Sequence, residues 1–421
     1  MGWMLRQPAL QHYFKDRQEL IPVLRLGALL HDIGHYPFSH LGEAVYSAIE
    51  RGAIDDREKG VSVFDIAATR QSIHSEASHE TLTAQVIRNT RIHELINKSL
   101  GQVDNRAASE VVIEIIEGTF PDSVCHSLVS SDLDCDRLDY LVRDSASAGL
   151  TYGQVDLAYL IENLRVESHS RFGPMLVVDA SHGFGAVEHY LHARYFHYAR
   201  FITHKTIASA ELLLAVAMLE LAALGKIGSR AGDVLGLVGT SHFLWFADQY
   251  VWTLITEGSH AHWASDDLKE VAESLLRRNL MKCACSLENL ETEAVSERPY
   301  ACVHLDKLFG TIEQKERVAQ ASGVEANKFC YQKRPIRLAG LPALVAPRPG
   351  AEEHYDLIET VSVAEPGSEP RAAVLEPGLL QQLSVRRWIT RRVFVREPDP
   401  ANSNLANTRK LREYLARELA H

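Results

Sequence analysis

The feature that most constrains this chain is the pairing of His31 and Asp32 at the end of an apolar run, with a dense acidic string, Ser131-Asp132-Leu133-Asp134-Cys135-Asp136-Arg137-Leu138-Asp139, much later in the sequence. The doublet offers one imidazole and one carboxylate to a single divalent ion, and such an ion needs more than two ligands. Carboxylates this dense on an otherwise apolar helix repel one another unless cations or a metal offset them. Asp136 is the candidate distal ligand within this string. An ion so held activates water for attack on a phosphoryl centre. Taken alone, the dipeptide has a plainer reading as a pair capping a helix end.

The rest of the chain reads as mostly helical up to about residue 260. Ile21 to Leu30 is an apolar helix, broken by Gly34 and Pro37. Residues 50 to 73 read as a polar loop, exposed from Arg51 to Lys59. Helical periodicity covers His79 to Leu100, Ala107 to Glu117, Val129 to Arg143 and Gly185 to Leu224. Short alternating segments at Leu164 to Val166 and Met175 to Val178 predict a hairpin over Arg171 to Pro174. After about residue 275, Leu280 to Leu287 and Ala301 to Leu305 alternate like strands, and prolines become frequent (Pro335, Pro342, Pro347, Pro349, Pro366, Pro370, Pro377). Arg391 to Val395 reads as a strand and Asn407 to Leu419 as a closing amphipathic helix. The expected fold is mainly α, a helical core over 1–275 with a small α+β C-terminal lobe over 276–421.

With 421 residues, 46% of them hydrophobic, the chain can bury a sizeable core. A net charge of -11 gives no whole-chain footprint for nucleic acid or an anionic membrane. The six cysteines show no CxxC spacing, and Cys283-Ala284-Cys285 reads as alternating strand residues. With no signal-peptide pattern, this points to a reducing, cytoplasmic setting. No apolar run reaches the ~20 residues that span a bilayer. Of the 20 histidines, many fall within 31–40, 74–79 and 182–204.

Four stretches carry a family resemblance: LLHDIGHYPFSHLGE (Leu29 to Glu43), SHETL (Ser78 to Leu82), SDLDCDRLDYLVRDSASAGL (Ser131 to Leu150) and ARYFHYARFITHKT (Ala193 to Thr206). They resemble the HD-domain phosphohydrolases, and within these the dNTP triphosphohydrolase branch, bacterial dGTPase-like enzymes and the sterile-alpha-motif-fused dNTPase included. The resemblance spans roughly residues 1 to 285. It implies an HD-domain helical core, a divalent metal cofactor (Mg, Mn, Fe, Co, Ni or Zn) on His31, Asp32 and Asp136, and hydrolysis of dNTPs to deoxynucleoside and triphosphate. His35 and His40 match the histidines that contact the α-phosphate and move a proton to the leaving oxygen; His79 matches the one that supports them. Glu43 stands where a relative has Asp. Arg137, Arg194 and Lys205 match cations around the triphosphate, and Tyr140 and Asp144 match sugar-side contacts.

Singly, each of these has a plainer reading. His40, Glu43 and His79 could form a hydrogen-bonded buried cluster, Tyr140 could be core filler, Arg143 and Asp144 a helix-end ion pair, and Arg194 and Lys205 a solvated face. The chain also departs from the family. The first metal histidine of the family precedes the doublet in an Arg-Phe-x-His-Ser string, and none stands before His31, where His12 is the sole histidine. The expectation is an N-terminally truncated HD domain with three of its ligands, a degenerate paralogue being the alternative. Ile202 replaces a base-stacking tyrosine, which leaves the base preference open. Arg277 to Lys282 resembles the basic lead into a strand that serves regulatory nucleotide sites, or is a solvated turn. The resemblance further implies a homodimer or homotetramer acting on dNTPs. Two alternatives stand beside this reading: another HD activity on monophosphates or signalling nucleotides, and an impaired nucleotide-sensing module.

Overall fold

The computed structural model describes residues 1–58, 61–68, 78–228, 230–291, 298–336, 360–376, 380–381, 387–397 and 405–420. His74, the end of the polar stretch 50–73, and Pro342, Pro347, Pro349 and Pro377 lie outside the described residues. The fold is mainly α with a smaller α+β portion. The chain forms two compact units. One comprises Met1–Gly34, Thr83–Ile202 and Ile336–Arg387; the other His35–Leu82, Thr203–Pro335 and Trp388–His421.

In the first unit, the Leu20–Leu30 helix carries Pro22 in its first turn, where a missing amide hydrogen costs nothing. Leu20, Val23, Leu24 and Gly27 are its buried residues, at the i, i+3, i+4, i+7 spacing of one helical face. It packs on Ala108–Ile116, whose Val111, Val112, Ile113 and Ile115 are fully buried. This packing fixes the helix whose last turn leads into His31. Leu164–His169 and Gly173–Asp179 form the expected hairpin, in register from Leu164 opposite Val178 to His169 opposite Gly173. Ser362–Ala364 joins it in parallel and Arg371–Ala372 follows antiparallel.

In the second unit, Lys205–Ala223 is the central helix and packs on Asp266–Leu276, Val63–Ala68 and His40–Glu50. By length and composition it could cross a membrane, which corrects the expectation that no such run exists; two thirds of it is buried within the protein, as in a core helix. A three-stranded sheet, ordered Lys282–Glu291, Arg387–Val395, Phe329–Ile336, closes over Leu305, Val318, Phe329, Val393, Leu411 and Leu415.

Several local expectations are corrected. Within 50–73, Ala53–Glu58 and Val63–Ala68 are helices, because Val63, Phe64, Ala67 and Ala68 form a buried apolar face inside a polar stretch. His79 to Leu100 is two helices, split at Thr90, whose hydroxyl donates to the Val86 carbonyl at 2.7 Å and accepts the Ile92 amide at 3.3 Å. Val129 to Arg143 is interrupted: Ser123–Val129 ends, and Cys135–Ser147 begins after Asp134, which caps it by accepting the Arg137 amide at 2.7 Å. Gly185 to Leu224 is also divided. Ala180–Phe196 passes into a π-helical turn, His197–Ile202, and a new helix starts after His204, which accepts the Thr206 amide at 3.3 Å. Ala301 to Leu305 lies in the Tyr300–Leu308 helix and is no strand.

Candidate metal centre and histidine cluster

His31 ends the Leu20–Leu30 helix, its amide bonded to the Gly27 carbonyl at 3.0 Å. Its Nδ1 lies 3.0 Å from the Ala28 carbonyl, so Nδ1 carries a proton and, in the neutral ring, Nε2 is the lone-pair nitrogen. The turn that follows is braced by Thr83, whose hydroxyl donates to the His31 carbonyl at 2.8 Å and accepts the Gly34 amide at 3.0 Å. Asp136 stands in the first turn of Cys135–Ser147. It is placed there by the Asp134 cap.

These constraints bring His31, Asp32 and Asp136 together, with one donor atom from each within 4.8 Å of the others. His31 Nε2 is buried, makes no hydrogen bond of good geometry, and faces Asp32 Oδ1 at 3.1 Å and Asp136 Oδ1 at 3.6 Å. The Asp136 carboxylate, with Asp32 adding to it and burial opposing, raises the His31 pKa to about 9. A locked imidazole whose buried lone pair points between two carboxylates fits a divalent cation in place of a proton. One nitrogen and two carboxylates suit first-row divalent ions or Mg²⁺.

His35, His40, Glu43 and His79 form a second group within the other unit, again with donor atoms within 4.8 Å of one another. Glu43 Oε2 is shared: His40 Nδ1 lies 3.2 Å away and His79 Nδ1 3.3 Å. Burial alone would raise the Glu43 pKa, but these two imidazoles hold it at about 2. The His35 and His79 rings stack at 4.2 Å, and Ser39 Oγ is 3.4 Å from His35 Nδ1. The backbone between the histidines is unusual. Phe38 and Ser39 adopt φ of 63° and 56°, a left-handed conformation that non-glycine residues rarely take. The Phe38 amide is held by Asp248 Oδ1 at 2.7 Å. This turn aims His35 and His40 into one cluster.

The residues expected around phosphate and sugar are arranged differently. Arg194 is no solvated face: it is largely buried and donates to Asp132 Oδ1 at 2.6 Å, while Tyr190 donates to the Asp132 carbonyl, also at 2.6 Å. Arg137 folds back on its own loop, donating to Asp134 Oδ2 at 2.8 Å and to the Ser131 carbonyl. Tyr140 OH is 3.1 Å from Tyr198 OH. Asp144 lies 3.5 Å from Arg143, which pairs more closely with Asp139 at 2.8 Å, so the helix-surface ion pair is present. Lys205 is exposed at the start of its helix in the second unit, whereas Arg194 belongs to the first.

Four side chains escaped the sequence reading. Thr83 and Asp248 act through hydrogen bonds to distant backbone, two for Thr83 and one for Asp248, which leave no local pattern. Asp132 and Asp134 stood in view within the acidic string. Their signal was burial, and burial lifts the Asp134 pKa to about 6 against the opposing charge of Arg137.

No family model matches the chain. The protein YwfO of Bacillus subtilis is 29% identical over 188 residues, 44% of this chain and 34% of the relative. The protein MJ1154 of Methanocaldococcus jannaschii is 26% identical over 204 residues, 48% of this chain and 34% of the relative. Both are described as uncharacterized, and the matched region spans about a third of their length. Among solved structures, a phosphohydrolase from Bacteroides thetaiotaomicron aligns with a TM-score of 0.55 at 20% identity, covering 90% of this chain and 80% of its own. The chain thus has the fold of that phosphohydrolase.

Proposed function

We propose that this protein is a metal-dependent phosphohydrolase, with His31, Asp32 and Asp136 holding the ion. The observation that carries the reading is the buried Nε2 of His31, set between two carboxylates that attract positive charge there, with Nδ1 engaged by the Ala28 carbonyl. When bound, a divalent ion supplies Lewis acidity, offsetting phosphoryl charge and lowering the pKa of water. In the sequence, His35 follows His31 after only Asp32, Ile33 and Gly34. Within that cluster, His35 or His40 delivers a proton to the leaving oxygen, and Glu43 and His79 hold the imidazoles in orientation.

The finer reading is a dNTP triphosphohydrolase. It draws its support from the Asp-x-Asp-Arg-Leu-Asp-Tyr string, with Tyr140 and Asp144 toward the sugar and Arg137, Arg194 and Lys205 toward the phosphates. Arg194 and Arg137 then serve while braced by Asp132 and Asp134, which fixes their guanidinium planes in advance of a ligand.

The test is a panel of dNTPs, nucleoside monophosphates and a generic phosphodiester, with Mn²⁺ or after chelation, and with product identification. Equimolar deoxynucleoside and triphosphate, lost on chelation, is the expected result. Asp136→Ala should lower kcat/KM on the order of a thousandfold, the equivalent of several kcal/mol of charge stabilisation. Turnover confined to monophosphates would overturn the dNTP reading alone. Nucleotide binding with no metal-dependent turnover anywhere in the panel would overturn the enzyme reading in favour of a sensor.

A further inference from the structure

The histidine cluster holds more donors than proton transfer requires. We propose that His35, His40, Glu43 and His79 constitute a second metal site, built for Zn²⁺ and separate from the His31–Asp32–Asp136 site. Three imidazoles and one carboxylate are a complete four-donor set for zinc, whereas one imidazole with two carboxylates is a harder site that suits Mg²⁺ or Mn²⁺ equally well. The spacing agrees. Tetrahedral zinc with bonds of about 2.0–2.1 Å places neighbouring donors about 3.3 Å apart. His40 Nδ1 and His79 Nδ1 already lie 3.2 and 3.3 Å from the same oxygen, Glu43 Oε2, and a donor of His35 falls within the same 4.8 Å group.

The surroundings fit an ion that comes and goes. His40 is three-quarters exposed, which gives an approach from solvent, while His79 and Glu43 are largely covered. The left-handed turn at Phe38 and Ser39, tied to Asp248, presets the backbone of His35 and His40, and binding requires the stacked His35 and His79 rings to rotate apart so that both lone pairs meet one ion. Zinc entry exchanges the contacts of His40 and His79 with Glu43 for metal bonds. One consequence rests on the function proposed above: an occupied cluster has no imidazole available for proton transfer, so Zn²⁺ inhibits turnover supported by Mn²⁺.

The binding test does not depend on activity. Asp136→Ala removes the first site, and this chain is titrated with Zn²⁺ by calorimetry, with metal analysis after gel filtration. One zinc per chain is expected. Adding Glu43→Gln or His79→Gln to that variant should weaken binding at least tenfold, with the circular dichroism spectrum unchanged. Co²⁺ in the same variant should show the visible absorption of a tetrahedral nitrogen–oxygen site. Absence of zinc from the Asp136→Ala chain, or undiminished binding when Glu43 and His79 are replaced in a folded chain, would overturn the proposal. Zinc binding without any phosphohydrolase activity would leave this site standing and remove only the activity reading.

Discussion

A Cβ at position 42 would lie 2.3 Å from the Pro37 carbonyl oxygen and 2.8 Å from Cβ of Tyr36, distances no real contact sustains. Gly42 lies in the first turn of the His40–Glu50 helix, where it passes against the turn that carries His35 and His40. Helix propensity alone predicts that alanine in place of glycine stabilises by about 1 kcal/mol. The contact with backbone predicts the opposite sign. Gly42→Ala should destabilise the protein by about 3 kcal/mol in urea unfolding and displace His40 and Glu43 from the cluster; unchanged or increased stability would contradict this packing. At this scale the sequence was legible where residue type carries chemistry. His31, Asp32 and Asp136 were grouped because imidazole and carboxylate are ligands, and the structure brings their donors together. It was illegible where a role depends on a partner far along the chain. Thr83 braces His31 across 52 residues, and a threonine in a polar helix announces nothing. Arg194 was legible as a cation, but its partner Asp132, 62 residues away, was not.

At the scale of elements, the long apolar helix before the doublet, the hairpin and the closing helix were legible because their periodicity is unambiguous over enough residues. The short segment Ala301 to Leu305 was not: alternation fits Ala301, Val303 and Leu305, while helical spacing fits Cys302, Leu305 and Leu308 equally well. Tertiary partners decide, and here the helix is held to the sheet by charge. Asp306 receives Arg391 Nε at 2.8 Å and Nη2 at 3.0 Å, Lys333 at 2.7 Å, and the Tyr331 hydroxyl. Arg391 itself is fully buried and also donates to Glu291 at 2.5 Å. Burial alone would raise the Asp306 pKa, yet Arg391, Lys333 and Tyr331 together hold it at about 2. An unfolded aspartate titrates near 3.9. The ionised carboxylate therefore stabilises the fold above about pH 4, and this contribution, about 2 kcal/mol, is lost as pH falls through about 2. Asp306→Asn should lower stability at pH 7 by about that amount, because it leaves the buried Arg391 guanidinium with one carboxylate partner, Glu291, in place of two. It should also flatten the acid limb of a stability–pH curve. An acid limb as steep in the variant as in the parent protein would assign the transition to other groups.

At the scale of the whole molecule, each compact unit is assembled from three stretches of chain, following contacts that composition does not record. This arrangement assigns each candidate site a different unit. His31, Asp32 and Asp136 all belong to the first and His35, His40, Glu43 and His79 all to the second. Both donor sets join residues distant in sequence, so the unfolded chain holds neither, and an ion that binds only the folded form stabilises it by about 2.7 kcal/mol at a hundred times its dissociation constant. Hydrogen exchange read by mass spectrometry reports that gain by region. Mn²⁺ should slow exchange in Leu20–Leu30 and Cys135–Ser147, and Asp136→Ala should abolish the effect. In that variant, Zn²⁺ should still slow exchange in His40–Glu50, which carries His40 and Glu43. Protection by Mn²⁺ that survives in Asp136→Ala would show that the ion sits elsewhere. If Zn²⁺ protection disappears from His40–Glu50 in the same variant, the two clusters make one site, because two separate sites require each ion to act where its own donors lie.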